Sequence, residues 1–93
     1  MKYSLQATSK FKKNYKQMQK RGLKKEELQI VVELLRNGKK LDIKYKDHAL
    51  KGQFKKYREC HINPDWLLVY EIRDDILVLT LIDTGSHADL FNM

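Results

Sequence analysis

The sequence contains a single cysteine, Cys60, among its 93 residues, so neither an internal disulfide framework nor a multi-cysteine zinc knuckle can be built from it. Long apolar runs are missing as well. The longest predominantly apolar stretch, Ile76 to Ile82, falls far short of the roughly 20 residues that span a bilayer, and the N-terminus lacks the apolar core of a signal peptide. A cytoplasmic protein with no membrane partner is expected. No internal repeat, low-complexity tract or linker is present, and a chain this short buries one modest core. Residues 1–93 therefore read as a single domain.

Acidic residues are in deficit, 12 against 19 Lys plus Arg for a net charge of +7. The deficit is uneven. Residues 1–60 hold 18 of the basic residues and 6 of the acidic ones, a balance of +12, whereas residues 61–93 hold Arg73 against 6 acidic residues, a balance of −5. Such segregation suits a domain that lays one basic surface on phosphate, which puts nucleic acid first among the partners the charge favours. Hydrophobic residues at 42% and charged residues at 33% match a folded domain rather than a disordered chain.

Tyr3, Leu5 and Ala7 alternate with polar residues, the period of a short strand. From Ser9 the period becomes helical: Phe11, Tyr15 and Met18 form one stripe among lysines, with Gly22 as the stop. Leu28, Val31, Val32 and Leu35 repeat that stripe in a second helix ending near Asn37 and Gly38. Lys39 to Gly52 has no clear period and reads as a long loop, which in a small domain points to function or to further structure. Three strands follow, Phe54 to Ile62, Trp66 to Ile72 and Ile76 to Ile82, joined by turns at Asn63-Pro64-Asp65 and Arg73-Asp74-Asp75. The expected fold is α+β, in the order β-α-α-β-β-β, with an antiparallel sheet packed by an N-terminal helical hairpin.

Hairpin turns make those three strands antiparallel, so the end of the first, the start of the second and the end of the third share one edge of the sheet. His61 closes the first strand, Asp65 and Trp66 open the second, and Asp83, Ser86 and His87 follow the third. His48 precedes the first strand and belongs at the opposite edge unless the long loop returns. A pair of imidazoles near neutral pKa can supply a base and an acid together. On RNA, the base would take the 2′-hydroxyl proton and the acid would protonate the leaving 5′-oxygen. Asp65 could orient an imidazole, and Trp66 and Phe91 offer flat faces for base stacking.

Blander readings stand beside these. Three histidines with Asp65 could instead hold zinc or nickel, although no HxH or HxxxH spacing is present. Trp66 could be core and Phe91 a plug over the sheet. Cys60 alternates with His61 and faces the other way, which suits a buried, inert thiol. The lysine-rich first helix is either a solvated face or an RNA-contacting one.

Four blocks, Lys46-Asp47-His48-Ala49-Leu50-Lys51-Gly52, Tyr57-Arg58-Glu59-Cys60-His61-Ile62, Pro64-Asp65-Trp66 and Thr84-Gly85-Ser86-His87-Ala88-Asp89-Leu90-Phe91, resemble in order and spacing the YafQ branch of the RelE/ParE toxins. The helical hairpin matches by pattern only. The resemblance implies a bacterial ribosome-dependent endoribonuclease that cuts messenger RNA in the A site without a metal or other cofactor. It further implies neutralisation by a cognate antitoxin, here expected to be acidic, with operator DNA bound only through the complex. Its catalytic set falls on His48, His61, Asp65 and His87, with Trp66 and Phe91 nearby, and it implies that the long loop folds back. One position departs: the arginine four residues before the last histidine is replaced by Asp83, which leaves Arg58, Lys51, Lys55 or Lys56 to supply the missing charge to RNA. A non-catalytic member, binding only antitoxin and operator, is the alternative.

Overall fold

Thr8 opens the first helix by accepting the Phe11 amide on its Oγ1 at 3.0 Å, satisfying one of the donors a helix start leaves free. In the computed structural model, which describes residues 2–90, helix α1 runs Ser9–Lys20 and helix α2 Lys25–Arg36. Gly22 takes a left-handed φ of +93° while the Leu23 amide reaches back to the Met18 carbonyl, the glycine-terminated end that the sequence spacing predicts. Leu28, Val31, Val32 and Leu35 are all buried, so the second stripe is a core face.

The strands are β1 (Ser4–Ala7), β2 (His48–Ala49), β3 (Arg58–Asn63), β4 (Trp66–Arg73) and β5 (Val78–Gly85). They form one sheet in the order β1-β5-β4-β3-β2. The α+β expectation holds, with one difference in direction. β1 lies parallel to β5, Ser4 opposite Val78 and Ala7 opposite Leu81, so the sheet is mixed rather than antiparallel. Alternation of apolar residues carries no information on strand direction, which is settled by how many reversals separate two neighbours.

The segment read as a loop carries structure. A 3-10 turn at Ile43–Tyr45 is capped by Asp42, Lys46 adopts a left-handed φ of 49°, and β2 follows at once. A second 3-10 turn, Gly52–Phe54, takes in the first residue of the strand expected over Phe54 to Ile62, which begins instead at Arg58. The last strand is also shifted. Leu77 has a φ of 54° and lies in the turn with Ile76, both exposed, while pairing with β4 extends β5 to Gly85 opposite Leu67.

The helices cover one face of the sheet, burying Phe11, Met18 and the α2 stripe against Cys60, Ile62, Trp66, Leu68, Tyr70, Leu79 and Leu81. Burial lifts the Cys60 thiol to about 12, helped by the carboxylates of Asp47 and Glu59, so this cysteine is inert at neutral pH. The other face bears a smaller cluster, Leu67 and Val69 under Leu90. Leu90 belongs to the turn after β5.

Candidate active site

Alternation along β3 decides which side chains can meet. Cys60 and Ile62 point into the helix-side core, which sends Glu59 and His61 to the open face. β2 pairs antiparallel with β3 and sets His48 opposite Glu59, so His48 shares that face. The long segment returns to the sheet, with Lys46 in a left-handed conformation just before β2. His48 Nε2 stands 3.5 Å from Glu59 Oε1. Its Nδ1 donates to the Lys46 carbonyl at 2.8 Å, which assigns the proton on that nitrogen, since a carbonyl can only accept.

His61, Leu67 and Gly85 lie in register across β3, β4 and β5. The turn leaving β5 at Gly85 therefore starts close to His61, and His87 packs edge-on against it with ring centroids 5.2 Å apart. His87 Nδ1 faces Asp65 Oδ1 at 3.7 Å. Asp65 itself is held by its amide donating to Asn63 Oδ1 at 3.0 Å, and Asn63 donates to Glu27 of α2 at 2.9 Å. His61, Asp65 and His87 are thus brought together directly, and His48 joins them through Glu59. A cavity of about 480 Å³ opens beside the pair, lined by Lys44, Tyr45, Lys46, Asn63 and both rings.

His61 is held below the ordinary imidazole value, first by burial and then by the positive charges of His87 and Lys46, with Glu59 opposing and His48 adding a little. At neutral pH the His61 imidazole is neutral.

Other positions singled out from sequence have different duties. Trp66 is 0% exposed; its ring stacks on Tyr15 at 6.4 Å and its Nε1 donates to Thr84 Oγ1 at 2.7 Å, so it has no free face for a base and belongs to the core. Arg58 points away from His61 and donates to Asp47 Oδ2 at 3.0 Å, while the Tyr70 hydroxyl donates to the other oxygen of the same carboxylate. It is a structural cation, not one free for phosphate. Lys51, Lys55 and Lys56 are exposed in the segment leading into β3, at the end opposite His61, and none lines the histidine cavity. Phe91 lies outside the described residues.

Asp83 does not follow β5 but lies within it, 2% exposed. Its carboxylate accepts from Asn14 at 2.7 Å and from the Thr84 amide at 2.8 Å and pairs with Lys10 at 3.3 Å. The ladder with β4 slips between Val69 and Tyr70, whose partners jump from Asp83 to Leu81, and a bulge of this kind re-aims side chains. Here it turns Asp83 into a tie between β5 and α1.

The turn that carries His87 is itself braced. Asp89 Oδ2 accepts from the Ser86 amide at 2.9 Å, the Ser86 hydroxyl at 3.0 Å and Arg21 Nη1 at 2.7 Å. Those donors, Arg21 foremost, hold the Asp89 carboxyl down to about 2. Sequence reasoning missed Arg21, Asp89, Glu59 and Lys46. Only Glu59 had a signal: it lies two residues before His61 and therefore shares its face of the strand. Among the described residues no three His, Cys, Asp or Glu side chains form a group able to hold a metal ion.

A small basic α+β domain with paired histidines and a carboxylate on the open face of its sheet finds its class in one comparison. Residues 3–92 match the family model described as "Bacterial toxin of type II toxin-antitoxin system, YafQ". The chain belongs to the YafQ family. It is 38% identical over 88 residues to the mRNA interferase toxin YafQ of Escherichia coli K12, covering 94% of each chain. Its fold superposes on the toxin in the crystal structure of the E. coli DinJ-YafQ toxin-antitoxin complex with a TM-score of 0.87 at 36% identity, covering 98% of this chain and 99% of that one. A metal-bound toxin from Helicobacter pylori gives a TM-score of 0.89 at 43% identity, covering 96% and 99%.

Proposed function

We propose that this toxin is an mRNA interferase, an endoribonuclease that cuts message in the ribosomal A site by proton transfer between histidines. The observation that carries the reading is the His61–His87 pair, 5.2 Å apart over an open cavity, with His61 held neutral. His61 takes the 2′-hydroxyl proton, the 2′-oxygen attacks the adjacent phosphorus, and the bond from phosphorus to the 5′-oxygen breaks as His87 protonates it. The products are a 2′,3′-cyclic phosphate and a 5′-hydroxyl. Asp65 faces His87 Nδ1 and orients it, and Glu59 fixes His48. This chemistry balances without a metal.

Three arms of one experiment test it on programmed ribosomes. The rate should be bell-shaped in pH, because one imidazole must be neutral while the other is charged. A 2′-deoxy nucleotide at the cut site should abolish cleavage and spare binding. Cleavage should survive removal of free divalent metal once ribosome integrity is controlled. A 2′-deoxy message cut at the normal rate would demand an external water nucleophile and defeat the mechanism.

The partners follow from the same reading. An acidic antitoxin suits the charge of residues 1–60, ribosome and message are met in the cytoplasm, and operator DNA is reached through the antitoxin complex. No helix among the described residues is long and apolar enough to cross a membrane. Asp83, a carboxylate where the resemblance implies an arginine, keeps open the alternative of a non-catalytic binder. Growth arrest on expression without antitoxin, relieved by His87→Ala, would support the enzyme; arrest indifferent to that substitution would support the alternative.

A further inference from the structure

A transferring phosphoryl group gathers negative charge, which a cation beside the site can meet. The cations around the site differ in what already neutralises them. Lys10 is paired with Asp83, Arg21 with Asp89 and Arg58 with Asp47. Lys44 and Lys46 have no carboxylate within ion-pair distance among the described residues, and both line the cavity that holds His61 and His87. Lys44 extends its Nζ over the Tyr45 ring, 5.2 Å from the centroid, a contact that occupies its charge.

We propose that Lys46 is the phosphate-contacting cation of this site. Its backbone is placed for the task. The left-handed φ of 49° is uncommon for a side chain larger than asparagine, and it is maintained from both sides: the Lys46 amide donates to the Ile43 carbonyl at 3.0 Å, and the Lys46 carbonyl receives His48 Nδ1. Asp47, the next residue, is anchored by Arg58 and Tyr70. Strain held in this way is a common mark of a positioned functional residue. Lys46 also belongs to the charges that depress His61, behind burial and His87, so the same ammonium that meets phosphate adds to what favours the neutral base. An ammonium acts as a compact point charge rather than a two-pronged fork, so it can approach a single phosphate oxygen from the cavity wall.

The inference rests on the interferase reading, and the test separates the two. Single-turnover cleavage is measured on programmed ribosomes for the wild type, Lys46→Met and Lys46→Arg, with toxin affinity for the ribosome measured alongside. An inactive wild type would fail the interferase reading itself. With an active wild type, K46M should cleave about 10- to 10²-fold more slowly, in line with loss of one charge-stabilising donor at a partly exposed site, with ribosome affinity nearly unchanged. K46R should recover most of the rate. A K46M rate equal to wild type, or a loss confined to affinity, would overturn the proposal. A second readout needs no ribosome: NMR titration of the isolated toxin should show His61 titrating higher in K46M, with His48, Glu59 and His87 still facing it. An unshifted His61 in a folded K46M protein would overturn the placement of Lys46 beside it.

Discussion

His61 and Trp66 are separated by one turn, yet burial assigns them opposite kinds of work. His61 is half-buried on the open face, where desolvation and neighbouring cations favour its neutral form. A base needed neutral and titrating below its ordinary value of 6.5 keeps activity on the acid side, so the acid limb of the pH-rate profile should fall below that value. His61→Ala and His87→Ala should each lower the single-turnover rate by roughly 10²- to 10⁴-fold, the usual worth of a general acid or base. Trp66, fully buried and hydrogen-bonded to Thr84, should register in stability instead. Trp66→Ala should cost about 3 to 5 kcal/mol in denaturant unfolding, because it empties a large packed volume. A Trp66→Ala protein of wild-type stability with weakened RNA binding would restore the stacking role.

At the scale of elements, the turn after β5 depends on α1. Arg21 lies just past the end of α1 and bridges to Asp89, which in turn receives the Ser86 amide and hydroxyl. The bridge fixes the one turn that bears His87, two residues from Asp89. A Cβ on Gly85 would meet Asp89 Cβ at 2.7 Å, so the turn closes tightly on the strand end. Arg21→Ala should therefore reduce the cleavage rate more than ribosome affinity, with Arg21→Lys recovering part of it, and should increase amide exchange across residues 86–90. The bridge is also pH-dependent. Asp89 has its folded value depressed from 3.8 to about 2, so its stabilising contribution is complete above the unfolded value and is lost as pH falls through that interval. Exchange at residues 86–90 should rise over the same window in the wild type and stay high throughout in Arg21→Ala. Both partners are partly exposed, so salt should weaken the effect.

Across the whole molecule, the basic residues of 1–60 and the acidic balance of 61–93 are folded into one sheet with its helices. α1 presents Lys12, Lys13, Lys16 and Lys20 to solvent, all exposed. Antitoxin association should be steered by that charge. The association rate should fall as ionic strength rises through about 0.15 M, where the screening length is about 8 Å, while dissociation changes less. A rate constant independent of salt would mean that the charge plays no part in encounter.

Amphipathic period, helix stops and turn residues are local properties, and they were legible because each is written in adjacent residues. Both helices, the β3-β4-β5 meander, the core role of Cys60 and the convergence of His61, Asp65 and His87 on one edge follow from them. Strand direction, the slip between Val69 and Tyr70, and the return of His48 are not local. They depend on which neighbour a backbone hydrogen-bonds to and on a left-handed residue, Lys46, of a type that gives no warning in sequence. The same holds for charge. A count of lysines and arginines says that cations are plentiful, but only the tertiary structure shows that Lys10, Arg21 and Arg58 are already spent on Asp83, Asp89 and Asp47, because an ion pair is a matter of distance between residues far apart in the chain.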